Sequence, residues 1–200
     1  MSKAEFNQEY LADFNTFEGQ VWDFNYAECV ADLSELDTSR MDIFAGMDVG
    51  YKDPTAFCVV GYDWDAEKYY ILDEYMEAER TTEQHAIAIQ VLIDRWDIDV
   101  IYIDSAAQQM RFDLAQKYDI STTNATKSVL DGIAAVATIV DNDSLMVGQH
   151  CKETLAALDQ YQWNPNKNLL VEKPVHNMAS HMSDSLRYAL YTFVASEITF

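Results

Sequence analysis

From residue 43 onward the chain alternates between short apolar runs and stretches with helical spacing. Residues 43–49 (IFAGMDV), 55–62 (TAFCVVGY) and 68–75 (KYYILDEY) are rich in β-branched and aromatic residues and are expected to be strands. Gly50, Asp53 and Pro54, then residues 63–67, supply turns between them, and connections this short join antiparallel neighbours. Thr81 or Thr82 caps the next element, a helix over about 82–96 whose wide apolar face comprises Ile87, Ile89, Val91, Leu92 and Ile93. A strand is expected at 99–103 (DVIYI). Helices near 107–117, 127–140 and 151–161 then alternate with short apolar pieces around 119–122, 144–147 and 169–171. A last helix is expected from about 178 to 195, with Met182, Leu186, Ala189, Leu190 and Phe193 on one face. This order predicts an α/β fold: a mixed β-sheet, an antiparallel meander plus parallel strands, flanked by helices.

Residues 1–42 read differently. Phe6, Tyr10, Phe14, Phe17, Trp22, Phe24 and Tyr26 are scattered among carboxylates with no sustained period, which suits a short helix and a strand docked on a surface outside the catalytic core. The boundary therefore falls at 42/43, with an acidic aromatic linker before it and one domain of ordinary size after it. There is no internal repeat. No apolar run of about 18 residues and no secretory signal pattern occurs, which predicts a cytoplasmic chain with no membrane partner. Cys29, Cys58 and Cys151 are odd in number, far apart and in no metal-finger spacing, as expected of reduced core thiols.

Charge sets a constraint on any nucleic-acid role. The formal net charge is −21 and the pI about 4.2, which opposes phosphate binding at long range. Residues 1–42 hold ten acids against two bases, so −13 remains on residues 43–200. Divalent cations or an attached partner would have to offset it.

Three aspartates stand at ends of elements, where a rigid scaffold can aim them at one point. Asp48 interrupts the first apolar strand in GMDVG, and Asp104 ends DVIYIDS in the same way, before Ser105, Ala106 and Ala107 turn the chain into a helix. A carboxylate so placed is costly to bury without a cation or donors. Asp184 lies on the polar margin of the last helix, with His181 three residues before it and Arg187 and Tyr188 after it on the same face. Converging carboxylates suit Mg²⁺ or Mn²⁺, hard cations that prefer oxygen, and two such ions clamp an in-line phosphoryl displacement. Singly, each of these aspartates reads equally as a turn former or helix cap. His85, His150 and His176 have no spacing that marks a zinc site and receive no role.

At these residues the sequence resembles the large-terminase nuclease domain of tailed bacteriophages, a member of the RNase H-like superfamily. The resemblance covers about residues 43–193 and rests on GMDVGYKDPTAF (46–57), IYIDSA (101–106), TKSVLDGI (126–133), LDQYQWNPN (158–166) and HMSDSLRYAL (181–190). It implies an RNase H-like fold and a metal-dependent DNA endonuclease cutting concatemeric genome DNA with two Mg²⁺ or Mn²⁺ ions. Asp48, Asp104 and Asp184 match the family's metal-binding acids and His181 its accompanying histidine. Asp53 is an additional ligand candidate, though Asp53-Pro54 reads first as a turn. Lys127 and Ser128 resemble the basic segment near the scissile strand, and Arg187 either braces Asp184 or touches DNA. The family also implies an ATPase domain of the same protein as a partner, with double-stranded DNA, portal and small terminase, in the cytoplasm of the infected bacterial host. EFNQEYLADFNTFEGQVW (5–22) resembles the end of that ATPase domain, and the absence of a G-x-x-x-x-G-K-[ST] loop fits the C-terminal part of a longer protein.

Other readings differ in what they require. A sugar-kinase-like phosphate loop at Asp48, Gly50 and Thr55 would need a second such loop and an adenosine site, both missing from the sequence. A Holliday-junction resolvase-like nuclease would use the same acids on another DNA shape. A non-catalytic assembly module of the packaging motor would not need all three acids.

Overall fold

The computed structural model describes residues 19–165 and 173–197. The strand expected around 169–171 lies outside the described residues. Seven strands, β1 (Val30–Ala31), β2 (Asp42–Asp48), β3 (Thr55–Asp63), β4 (Lys68–Glu77), β5 (Val100–Ile103), β6 (Thr123–Asn124) and β7 (Leu145–Gly148), form one sheet in the order β1-β7-β4-β3-β2-β5-β6. Its centre is the expected antiparallel meander β2-β3-β4. Parallel strands extend it on both sides, β5 on β2 and β6 on β5 at one edge, β7 on β4 and β1 on β7 at the other. Among the described residues six helices accompany the sheet: α1 (Tyr26–Cys29), α2 (Thr82–Trp96), α3 (Gln108–Tyr118), α4 (Val129–Asp141), α5 (Lys152–Gln160) and α6 (Met178–Glu197). No helix among the described residues is long and apolar enough to cross a membrane.

The period-2 pattern of the central strands divides the interior into two cores. In β3, Ala56, Cys58 and Val60 face the layer that contains α4, α5 and α6, whereas Phe57 and Val59 face α2 and α3. Residues on β2 divide likewise, Phe44 on the first side and Ile43, Ala45 and Met47 on the second. The cysteines are free and buried, as expected of core thiols.

Two expectations need correction. Residues 19–42 are not external to the sheet: β1 pairs with β7, and Trp22, Phe24, Tyr26, Cys29 and Leu33 are buried. Trp22 and Tyr26 also donate hydrogen bonds to the carbonyls of Ile133 in α4 and Leu155 in α5, so this part of the aromatic segment covers the chain's own helices. On α2, the buried stripe is His85, Ala86, Ile89 and Leu92, while Ile87 and Val91 are 61% and 53% exposed. The helix begins where expected, with Thr81 and Gln84 forming a reciprocal capping box.

Candidate metal centre

Strand pairing brings the first two aspartates together. Met47 is the partner of Ile103 in the parallel β2–β5 ladder, so the next residue along each strand, Asp48 and Asp104, emerges at the same carboxyl end of neighbouring strands. Adjacent strands lie about 4.8 Å apart, close enough for their carboxylates to share a ligand. Asp104 also accepts a 2.8 Å bond from the Ala106 backbone, which turns the chain into α3.

The third aspartate arrives on α6, which crosses the face of β2 and β3 at very close range. A Cβ at Gly46 would lie 1.9 Å from the Ser185 carbonyl oxygen, so only glycine lets the helix backbone approach the strand this closely. Ser185 Oγ donates a 2.9 Å hydrogen bond to the Gly46 carbonyl, fixing the helix against the strand. Gly46 is two residues before Asp48 and Ser185 is next to Asp184, so this contact sets how the strand acids and the helix acid meet.

Each carboxylate has a base. His181 Nδ1 lies 2.9 Å from Asp48 Oδ2, Lys127 Nζ pairs with Asp104 Oδ1, and Arg187 reaches Asp184 Oδ1 through Nη2 at 2.9 Å and Nε at 3.3 Å. The three carboxylates share a neighbour in Tyr188. All three push up the pKa of the Tyr188 phenol, behind the larger effect of its burial. Burial raises the Asp184 carboxyl above its ordinary value, a shift that Arg187 opposes and the Asp48 charge reinforces. Burial also works against the Asp104 anion, but the Ala106 N–H and Lys127 outweigh it and hold its pKa below the usual carboxylate range. The hydrogen bond to Asp48 raises the His181 pKa despite burial, with the Asp48, Asp53 and Asp184 charges adding to it.

Among the secondary candidates, Lys127 does reach the centre. Ser128, at the entrance to α4, accepts a long 3.4 Å bond from Arg187 Nη1 on its carbonyl. Arg187 is 2% exposed and its Cδ and Cγ pack where a Gly132 side chain would lie, so its guanidinium braces Asp184 from within. That burial removes Arg187 from the DNA contacts expected of it. Asp53 sits in the tight turn after β2, where its carbonyl closes on Gly50, and its exposed carboxylate lies 3.9 Å from His176 Nε2. Tyr161 is buried and the partly buried Trp163 packs against the same core. A cavity of about 570 Å³ opens beside Asp184, lined in part by Ser128, Tyr161, Lys173, His176 and Ser180.

The donor set fits a hard divalent cation: carboxylates at the ends of two paired strands, a third on the second turn of α6, and an imidazole oriented by one of them. His176, given no role from the sequence, offers a ligand atom within 4.8 Å of those of Asp53 and His181. Just after it, Asn177 and Ser180 exchange hydrogen bonds of 3.1 and 3.2 Å at the start of α6.

Comparison with known proteins identifies the family and shows where this fold recurs. Residues 45–193 match the family described as the terminase RNaseH-like domain. The chain is 43% identical over 201 residues to the terminase large subunit of Escherichia phage T5, covering 96% of this chain and 46% of that protein. The structure resembles the large terminase of a thermophilic bacteriophage, with a TM-score of 0.77 at 22% identity over 97% of this chain and 53% of that one. It also resembles the large-terminase nuclease domain of bacteriophage SPP1 with bound Mn, with a TM-score of 0.66 at 18% identity over 87% of this chain and 99% of that domain. At these identities the structural likeness establishes the shared fold. The chain spans about half the length of the T5 protein and of the thermophilic-phage protein.

Proposed function

Because the chain belongs to the terminase RNase H-like domain family, we propose that it is the nuclease part of a viral DNA-packaging large terminase, a divalent-metal-dependent endonuclease that cuts concatemeric double-stranded genome DNA. The observation that carries this reading is the convergence of Asp48 and Asp104, from paired parallel strands, with Asp184 and His181 from α6. The Mn bound in the related SPP1 domain supports a metal-dependent reading. On this reading the ATPase domain of the same protein is a partner, together with portal and small terminase, in the cytoplasm of the infected bacterial host.

Two Mg²⁺ or Mn²⁺ ions held by Asp48, Asp104 and Asp184, with His181, would supply an activated water on one side of the phosphate and stabilise the leaving oxygen on the other. The protein's own groups divide the remaining work by their burial. Arg187 is enclosed and keeps Asp184 oriented as its charge is drawn on. Lys127 has a side chain 44% exposed and is free to turn from Asp104 towards a DNA phosphate once a cation compensates that carboxylate. Asp48 fixes the His181 ring so that one nitrogen is engaged and the other remains for a ligand or a proton.

The test is plasmid nicking in Mg²⁺ and Mn²⁺ by the wild type and Asp104→Asn. The amide keeps the shape of the side chain but loses the ligand charge, so the variant should fold as the wild type does and lose activity by about 100-fold or more, the equivalent of roughly 2.7 kcal/mol in the barrier. Undiminished cleavage by Asp104→Asn in Mn²⁺ would overturn the assignment.

A further inference from the structure

Among the described residues, one buried side-chain polar atom has no hydrogen-bond partner, Nε2 of His85. Buried polar groups are almost always paired, so this nitrogen marks a place where a ligand can supply what the fold does not. His85 lines a cavity of about 410 Å³ whose walls include the segments that follow two of the acids, Gly50 and Tyr51 after Asp48 and Ala106 and Ala107 after Asp104. We propose that this cavity is a phosphate site, in which Arg80, Thr82, His85 and the start of α3 hold a backbone phosphate of the DNA away from the bond being cut.

His85 is 2% exposed, and its Nδ1 is taken by the Tyr75 hydroxyl at 2.9 Å. His85 belongs to the cavity wall and Tyr75 does not, so the ring turns its second nitrogen away from Tyr75 and toward the cavity. Burial holds the His85 pKa below its ordinary 6.5, with the Arg80 charge adding to the effect, so at neutral pH the ring carries a single proton. With Tyr75 donating to Nδ1, that proton is on Nε2, a neutral donor.

Arg80 and Thr82 line the same space. Thr81, not Thr82, caps α2, so the Thr82 hydroxyl is not committed to the cap. Arg80 lies 3.7 Å from Glu77, and with side chains 46% and 49% exposed the guanidinium can leave that carboxylate for a phosphate, which its planar fork suits. Gln109 brings in the first turn of α3, an 11-residue helix that starts with no side-chain cap and has no acid in its first turn. The partial positive charge of that helix end therefore meets the cavity unopposed by its own side chains, as an anion requires.

The cavity beside Asp184 shares none of these lining residues, so the two spaces are distinct. Because its walls continue directly from Asp48 and Asp104, a strand whose scissile phosphate is at the carboxylate centre can reach this cavity with a neighbouring phosphate. Holding the strand at a second point favours binding in register rather than the chemical step. The DNA source of the phosphate rests on the nuclease reading; the anion chemistry does not.

The histidine rings of the full chain, labelled isotopically, are followed by nuclear magnetic resonance in EDTA, the His85 ring being recognised by its contact with the Tyr75 ring, 5.7 Å away between centroids. Inorganic phosphate and dimethyl phosphate should each shift the Nε2 resonance of His85 to saturation, and Arg80→Gln, a change at an exposed position, should weaken both responses at least fivefold. In plasmid nicking with Mg²⁺, Arg80→Gln should raise KM at least fivefold while kcat changes less than twofold. No response of Nε2 to either phosphate, or equal responses in wild type and Arg80→Gln, would overturn the site. A phosphate response with an unchanged KM in Arg80→Gln would overturn the DNA assignment and leave a site for free phosphate only. Failure of the wild type to nick in Mg²⁺ or Mn²⁺, with the phosphate response intact, would instead overturn the nuclease reading and the DNA source with it, the anion site standing on the resonance alone.

Discussion

His181, Lys127 and Arg187 each meet one carboxylate of the centre, and they differ in how freely they can leave it. Arg187 is the enclosed one, clamped on Asp184 and packed against Gly132 and the Tyr188 ring. Arg187→Leu would leave the Asp184 carboxylate buried without its partner, a change that typically costs about 3–5 kcal/mol. Urea denaturation in EDTA should show a loss of that order, and added Mg²⁺ should recover part of it by compensating the orphaned acid. His181 gives a pH signature. Its pKa is raised from an ordinary 6.5, so in metal-free protein the His181–Asp48 pair contributes its full stability below that value and loses it as pH rises through the raised one. Melting temperatures in EDTA, scanned from about pH 6 to pH 9, should fall more steeply for the wild type than for His181→Gln; parallel curves would contradict this. Asp48, Asp104 and Asp184 were legible in the sequence because each interrupts or ends an apolar element, where an unsupported carboxylate is expensive. The approach of His176 to Asp53 was not, because the two are remote in the chain and become neighbours only when α6 lies along β2.

Strand alternation in β2 and β3 and the α6 stripe could be read directly, since period 2 and period 3.6 leave distinct traces. The facing of α2 was less legible. Ile87 and Val91 carry the same apolar signal as Ile89 and Leu92, and periodicity reports that a helix has apolar residues without saying which of them the sheet covers. Nor does local pattern reveal the tight approach of Gly46 to Ser185, because a glycine in a strand reads simply as a weak strand residue. Gly46→Ala should therefore be far more damaging than its single methyl group suggests. Backbone lies on both sides of the contact, so α6 must move outward, and a loss of about 3 kcal/mol is expected by urea denaturation. Gly61→Ala is the control, since there the added carbon meets only side-chain atoms at 3.1 Å and beyond. Similar losses in the two variants would show that the Gly46 approach is not special.

At the scale of the whole molecule, the segment before residue 43 completes the fold. Burying a large apolar side chain contributes about 1.5–3 kcal/mol, and Trp22, Phe24, Tyr26 and Leu33 are all buried together with the short strand β1. Their sum rivals the whole net stability of an ordinary domain, about 5–15 kcal/mol. A chain starting at residue 43 should accordingly lose the near-ultraviolet circular dichroism that the full chain shows; a cooperative melt from that fragment would refute this. The sequence concealed the role of this segment because its aromatics follow the irregular surface they cover. The close seating of α6 on β2 has a further consequence, for biosynthesis. Asp48 and Asp104 leave the ribosome before Asp184 and His181, which belong to the last helix of the described chain. Until that helix has emerged and docked, a nascent chain holds only two of the three acids, so the centre is assembled only after α6 has been made.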